Sequence, residues 1–314
     1  MAVLATSGLT LPKHLASGVW QKASYGSAVA QLSGQEPMLF GETQLMTFTG
    51  RPKAEYVAEG ANKGYSDATF GTKTITPKKV QVTTRFNEEV QWADEDYQLG
   101  VLSTVSDSLG LALSRALDLG VIHGVNPIDG TAVSSITDEL VTTTNAVEIL
   151  DGTSANAPRG IDIDIETAVG LVIADGYRPN GIAIDPSYAW EIATARYTDG
   201  RKKYPEIGLT TELSRFEGFR VSVSDTVSAP EAAVAGGAYA TTNPNVKAIV
   251  GDWDQLRWGV QRNIGLEVIR FGDPDGQGDL KRKNQIAIRA EVVYGWAVMD
   301  HNAFAKIVNA TNES

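Results

Sequence analysis

The chain has 314 residues, 42% hydrophobic and 21% charged, enough for one large or two ordinary domains with a core that needs no covalent staple. It has no cysteine, which excludes a disulfide framework, a thiolate zinc site, an iron–sulfur cluster and a cysteine nucleophile. Its histidines, His14, His123 and His301, are spaced too widely to suggest a metal centre. With 27 basic against 38 acidic side chains and a formal charge of −11, the balance argues against a free-standing nucleic-acid binder.

The first residues lack a basic start followed by an apolar run, so no signal peptide is expected. No stretch reaches the ~18 uncharged apolar residues of a spanning helix. Residues 1–40 have no sustained period and read as an arm that leans on something else. Residues 46–57 and 68–86 are strand-like and flank the polar AEGANKGYSD, the pattern of a long hairpin. It is too rich in Thr, Lys and Glu to be buried, and an exposed strand pair needs a partner. From Glu95 the period changes. Leu99, Leu102, Val105, Leu109, Leu113 and Leu117 recur at three- and four-residue steps and predict a helix to about residue 122, stopped at HGVNPIDG.

Residues 131–158 read as strand and loop, and 164–175 as a helix. GIAIDP predicts a buried strand, SYAWEIATAR a helix and TDGRKKYP a polar loop. FRVSVSDTV, NVKAIVGDW and LEVIRF alternate as strands do. NQIAIRAEVVYGWAVMD is a long strand or a strand pair, and HNAFAKIV follows it. Helices and strands interleave without a regular βαβ repeat, so the class is α+β.

Few local motifs carry conventional chemistry. GANKGYS lacks the spacing and following helix of a phosphate loop. DPDGQGD, with Asp273, Asp275 and Asp279, resembles a calcium turn but lacks the distal Glu and flanking helices, so a solvated turn is the expectation. Asp162, Asp164 and Glu166 suit the positive end of a helix better than paired catalytic carboxylates. The clusters 201–203 and 281–283 are basic but lack interleaved aromatics, and read as solvated or subunit-contact patches. Trp190, Trp253, Trp258 and Trp296 read as core or interface anchors. No GxSxG elbow is present. Neither a cofactor nor a metal is expected, and on these motifs the chain is not an enzyme.

The order of the weaker motifs is more informative. VAEGANKGYSDATFGTKTITPKKV, the long helix ending in HGVNPIDG, NGIAIDPSYAWEIATARYTDGRKKYP, FEGFRVSVSDTV, VKAIVGDWDQLRWGVQRNI and KNQIAIRAEVVYGWAVMDHNAFAKI follow one another from about residue 40 to the end. In that order the chain resembles a tailed-bacteriophage major capsid protein of the Hong Kong 97 type. The resemblance implies an N-terminal arm (1–40), an extended β-hairpin loop (41–85), a peripheral domain with a long spine helix (86–135 and 253–295) and an axial domain (136–252 and 296–314). It implies self-assembly as hexamers and pentamers into an icosahedral head enclosing double-stranded DNA, without sequence-specific binding and without a membrane. A portal is a further implied partner, and the loop Asp199, Gly200 and Arg201 would line the capsomer centre. With only about forty residues before the extended loop, a separate scaffolding protein is expected rather than a fused one. Assembly would take place in the host cytoplasm, and the product would be a virion shell.

Some members of that family join subunits by isopeptide bonds. The resemblance places Lys63 at the loop tip as the nucleophile, Asn284 as the acyl donor and Glu291 as the proton acceptor. Residues seven apart on a strand face opposite ways unless a bulge intervenes, so the geometry is left open. The competing reading makes Lys63 an exposed loop lysine, Asn284 a strand-end residue and Glu291 an ion-pair partner. Two other functions compete with the phage head: an encapsulin-type compartment of the same fold, told apart by its contents, and a soluble hydrolase using the acidic residues, told apart by the absence of a large particle.

Overall fold

A computed structural model describes residues 27–36, 38, 41–48, 52–67, 70–88, 95–149, 160–197, 199–209, 213–228 and 246–309, without the side chains of 48, 95–104, 162 and 262–264. His14, most of the expected arm and part of the 131–158 segment lie outside these residues.

The longest helix, α2 (Glu95–His123), matches the leucine period and is about 40 Å long. Its buried stripe of Leu109, Leu113, Leu117 and Val121 packs on a three-stranded antiparallel sheet. That sheet has the order β3 (Lys78–Asn87), β10 (Gln285–Val298), β9 (Leu256–Ile269). β10 shows why the sequence alternates. Ile286, Ile288, Ala290, Val292 and Tyr294 are buried, whereas Arg289, Glu291 and Val293 between them are only half-buried. Gly120 lets helix and strand close up, since a Cβ there would lie 2.9 Å from Trp296.

The larger sheet has six strands in the order β4 (Ala146–Ile149), β11 (Phe304–Asn309), β8 (Val246–Gly251), β5 (Gly181–Ile184), β7 (Phe219–Val223), β6 (Arg215–Phe216). The β11–β4 and β5–β7 pairs are parallel and the rest antiparallel. β5 is buried at every position. Helix α3 (Ile161–Ala174) lays Ile165, Ala168 and Val172 on the β4, β11 and β8 part of the sheet, and Asp164 and Glu166 fall within its first turns. Helix α4 (Pro186–Thr194) starts as the Asp-Pro pair dictates: Asp185 accepts from the Ser187 amide at 2.8 Å, and Pro186 occupies the first turn. Trp253, Trp258 and Trp296 are core anchors as expected. Trp190 is not in the core, being 47% exposed on α4.

The hairpin forms, but shorter than the sequence suggests. β1 (Thr43–Phe48) pairs antiparallel with β2 (Phe70–Ile75), from Thr43 opposite Ile75 to Phe48 opposite Phe70. The second expected strand breaks at Thr76-Pro77, where proline has no amide for a ladder. Beyond the break β3 leaves the hairpin and joins β10. Residues 52–67 are extended without a ladder. Their two legs are tied by the Lys53 amide to Ser66 Oγ at 2.6 Å and the Gly64 amide to the Glu55 carboxylate, with a turn from Ala58 O to the Ala61 amide at 3.0 Å.

The short helix α1 (Ala28–Leu32) is buried against this core rather than lying loose. Its first turn lies on Asp118, a fully buried carboxylate near the C-terminal end of α2. Asp118 accepts from Ser27 Oγ, the Ala28 amide at 2.9 Å, the Val29 amide at 3.2 Å and Thr226 Oγ1 at 2.7 Å. On the same seam Arg115 Nη1 donates to Asp225 at 2.7 Å, and His123 Nε2 donates to Val227 O at 2.9 Å.

Two groups on this seam titrate in opposite senses. Burial lowers the His123 pKa from 6.5 to about 4, against a weaker upward pull from the carbonyls of Val227 and Thr226. The neutral ring is therefore what the fold accommodates. Its contribution is whole above pH 6.5 and is lost as pH falls towards 4, by about 3 kcal/mol. Burial pushes the Asp118 carboxyl up, so the folded chain holds that proton more tightly and Asp118 loses stability as pH rises through its range. His123→Gln is expected to flatten the loss of stability between pH 6.5 and 4, measured by denaturant unfolding on tryptophan fluorescence. An unchanged slope would exclude His123 as the group responsible.

Candidate functional site

Lys63 sits at the exposed tip of the hairpin, next to Gly64, whose amide is fastened by Glu55. The tip therefore has a defined backbone although it lacks strand pairing. Tyr56 and Tyr65 on its legs are exposed almost completely, and Met46 is 72% exposed near its base. The base itself is fixed by Asp138. That carboxylate pairs with Lys73 at 2.8 Å and accepts the Val298 amide at 2.6 Å, and its backbone carbonyl accepts Trp296 Nε1 at 3.3 Å. Lys78 Nζ donates to Ser135 O at 2.5 Å beside it.

Asn284 is the residue before β10, at the end of a 3₁₀ turn formed by Lys281–Lys283. Its φ of 52° lies in the left-handed region, which asparagine tolerates better than most residues. Its backbone is held on both sides: the amide donates to Lys281 O at 3.4 Å, and its carbonyl accepts the Glu88 amide at 2.8 Å. The side chain is exposed. Glu291 lies on the β10 face away from α2, opposite Gln81 on β3 and Gly265 on β9. Its Oε2 pairs with Lys79 at 2.9 Å and its side chain is 11% exposed. The strand rises about 20 Å between Asn284 and Glu291 at ~3.3 Å per residue. One chain therefore does not bring these two residues together.

Asp199, Gly200 and Arg201 form an exposed tight loop after α4. Gly200 takes φ 86°, and Asp199 accepts from the Arg201 amide at 3.0 Å and from Arg201 Nε at 2.6 Å. The Tyr197 amide donates to Arg201 O at 2.9 Å, and Arg196 Nη1 to Gly200 O at 2.9 Å. The loop is closed by its own residues and projects the Arg201 side chain, 82% exposed.

The calcium-like turn has its cation already, supplied by an arginine. Arg85 of β3 donates from Nε to Asp275 Oδ2 at 2.6 Å, from Nη2 to Asp273 at 2.8 Å and from Nη1 to Gly278 O at 2.9 Å. A further bond joins Nη2 to Asp275, and Arg289 Nη2 donates to Pro274 O at 2.8 Å. The guanidinium holds the Asp275 carboxyl below the usual carboxylate range. Among the described residues no group of His, Asp and Glu could hold a metal ion. Sequence reasoning missed Arg85, Lys79 and Asp138. Lys79 and Arg85 could have been flagged by their even spacing on the polar face of a strand whose other face is apolar. Arg85→Lys is expected to loosen residues 272–280, because an ammonium cannot span both aspartates and the carbonyl. Faster hydrogen exchange at the Gly278 and Leu280 amides would show it, and unchanged exchange would count against it.

The comparisons with known proteins agree with this architecture. A probable major capsid protein, gp17, of Mycobacterium phage L5 is 25% identical over 309 residues, covering 95% of this chain and 89% of the relative. A solved structure from Mycobacterium phage Ogopogo is 52% identical with a TM-score of 0.81, covering 98% of this chain and all of that one. A second, from Gordonia phage Cozz, is 32% identical with a TM-score of 0.76, covering 91% of this chain and 87% of that one. The mixed helix-and-sheet fold is that expected of the Hong Kong 97 type. The phage capsid family profile matches residues 7–309, nearly the whole length, and the chain belongs to the phage capsid family.

Proposed function

We propose that the chain is the major capsid protein of a tailed phage, a subunit that assembles as hexamers and pentamers into an icosahedral head around double-stranded DNA. Family membership across residues 7–309 carries this reading. The hairpin supports it physically: a polar loop that exposes Met46, Tyr56, Tyr65 and Phe70 has its natural cover in another copy. The net charge of −11 suits a container that encloses DNA without gripping it. No helix among the described residues is long and apolar enough to cross a membrane. The proposed partners beyond further copies are a separate scaffolding protein, a portal and the packaged genome, with assembly in the host cytoplasm.

In this reading 1–40 form the arm, 41–85 the extended loop, 86–135 with 253–295 the peripheral domain and 136–252 with 296–314 the axial domain. The closed loop at Asp199, Gly200 and Arg201 faces the capsomer centre. Lys63, Asn284 and Glu291 make an inter-subunit isopeptide bond. Glu291 takes a proton from the Lys63 ammonium, and Nζ attacks the Asn284 carboxamide carbon. The new C–N bond forms, the old one breaks, and ammonia leaves with that proton. The roughly 20 Å between Asn284 and Glu291 along the strand means that each centre takes them from different copies.

Removing the loop tip, residues 60–66, is expected to leave soluble oligomers that do not close into shells by negative-stain microscopy. Normal particles from the deletion would count against a role for the loop in assembly.

Boiled wild-type particles are expected to show ladders on denaturing gels, which cannot be disulfides in a chain without cysteine. Lys63→Arg and Asn284→Asp should abolish them, since a guanidinium stays protonated and a carboxylate is a poor acyl donor. Glu291→Gln should slow them by at least about 100-fold, the usual share of a general base. A single monomer band from wild-type particles would reduce the three residues to structural roles.

A further inference from the structure

The face of the three-stranded sheet that carries Glu291 is a row of charged and polar side chains, and the partners there are divided unevenly. Arg289 precedes Glu291 by two positions on the same face, but its guanidinium is engaged by Thr83 Oγ1 at 3.1 Å and Pro274 O at 2.8 Å. Arg85 is committed to the aspartate turn. On the β9 side the residue opposite Glu291 is Gly265, with φ 79° and no side chain, and the pairing with β9 shifts register immediately after Glu291. On the β3 side the opposite residue is Gln81, and Lys79 stands one diagonal step away. Lys79 therefore supplies the cation for this carboxylate, at 2.9 Å from Oε2. The carboxylate is drawn towards β3, and its direct partner on β9, Gly265, brings no side chain to it.

We propose that Lys79 is a positioning residue for the isopeptide reaction: it anchors one oxygen of Glu291 and so aims the other at the lysine arriving from a neighbouring subunit. This rests on the crosslink reading above. The ammonium of Lys79 takes no part in the bond change. It fixes the rotamer of a flexible glutamate whose free movement would spread its oxygens over several positions, and a general base acts only from hydrogen-bond reach of the proton it removes. The pairing also leaves Lys79 itself unsuitable as the nucleophile. It lies at the start of a sheet strand, held beside the carboxylate of its own chain, whereas Lys63 lies on an exposed tip that can reach another copy.

The test compares particles assembled from wild-type, Lys79→Met and Lys79→Arg chains, following the loss of monomer band with time and the ammonia released. Lys79→Met keeps the length and the apolar stem and removes the charge. It is expected to slow crosslinking at least about tenfold, a fraction of the full effect of losing the base, while particle yield and thermal melting stay as in wild type. Lys79→Arg keeps a donor for Oε2 and is expected to restore most of the rate. A purely structural lysine would move yield and melting with the rate, and that result would overturn the proposal. So would Lys79→Met particles that crosslink at the wild-type rate, with the Lys63–Asn284 reaction itself left standing. Wild-type particles that yield only monomer would remove the crosslink reading and the role of Lys79 together.

Discussion

A carboxylate buried completely in the last turns of a long helix has to find its hydrogen bonds inside the protein, because leaving it without them costs several kcal/mol. Asp118 finds them far away in sequence, from Ser27, Ala28, Val29 and Thr226. Those donors belong to the end of the N-terminal segment and to the turn Asp225–Val227 that follows β7 of the six-stranded sheet. One side chain thus fixes the arm, the spine helix and the larger sheet relative to one another. Arg115 and His123 repeat the contact on either side, so the seam is polar along α2 while the rest of the helix packs on apolar side chains. A polar seam is directional in a way that a greasy one is not: a shift of the helix would strand a buried charge.

The hairpin is built on the opposite principle. Asp138 ties its base through Lys73 and the Val298 amide, and Lys78 adds a bond to Ser135 O. Beyond the β1–β2 ladder the described residues are tied by short-range bonds within the loop: Lys53 to Ser66, Gly64 to Glu55 and Ala61 to Ala58. The loop leaves its own subunit with a set direction and a set tip, yet its exposed tyrosines touch little of that subunit. A segment of this kind is stable as a local fold and incomplete as a surface, which is the condition for binding a second copy.

How much of this was legible follows from the kind of signal. The leucines at 109, 113 and 117 announce the spine helix, and the alternation from Ile286 to Tyr294 announces β10, because burial on one face is written at a fixed period. Asp185-Pro186 announces the start of α4 through the chemistry of a cap. Pairing across long distances has no such period. The break at Pro77 could have been read from the sequence, but that β3 then joins β10 could not. DPDGQGD reads as a solvated acidic turn, and nothing local announces that Arg85, almost two hundred residues earlier in the chain, pairs with it. Asp118 stands among Leu117, Leu119 and Val121, and a lone carboxylate in an apolar helix stripe was the available sign of a buried node.

The position of the candidate reactive residues has a consequence for timing. Asn284 immediately precedes the strand that carries Glu291, and a strand cannot fold back on itself: about 20 Å of chain, laddered to β3 from Gln285 and to β9 from Ala287, separates them. Lys63 is held at the end of a loop with its own fixed base. A free subunit therefore has the three groups but no place where they meet, and in water a protonated lysine does not attack an amide. Packing of copies edge to edge supplies both missing conditions at once, proximity and exclusion of solvent. A bond made this way forms only between subunits already in register. It adds covalent strength to interfaces that the non-covalent contacts have selected, and it cannot lock together subunits that meet in the wrong orientation.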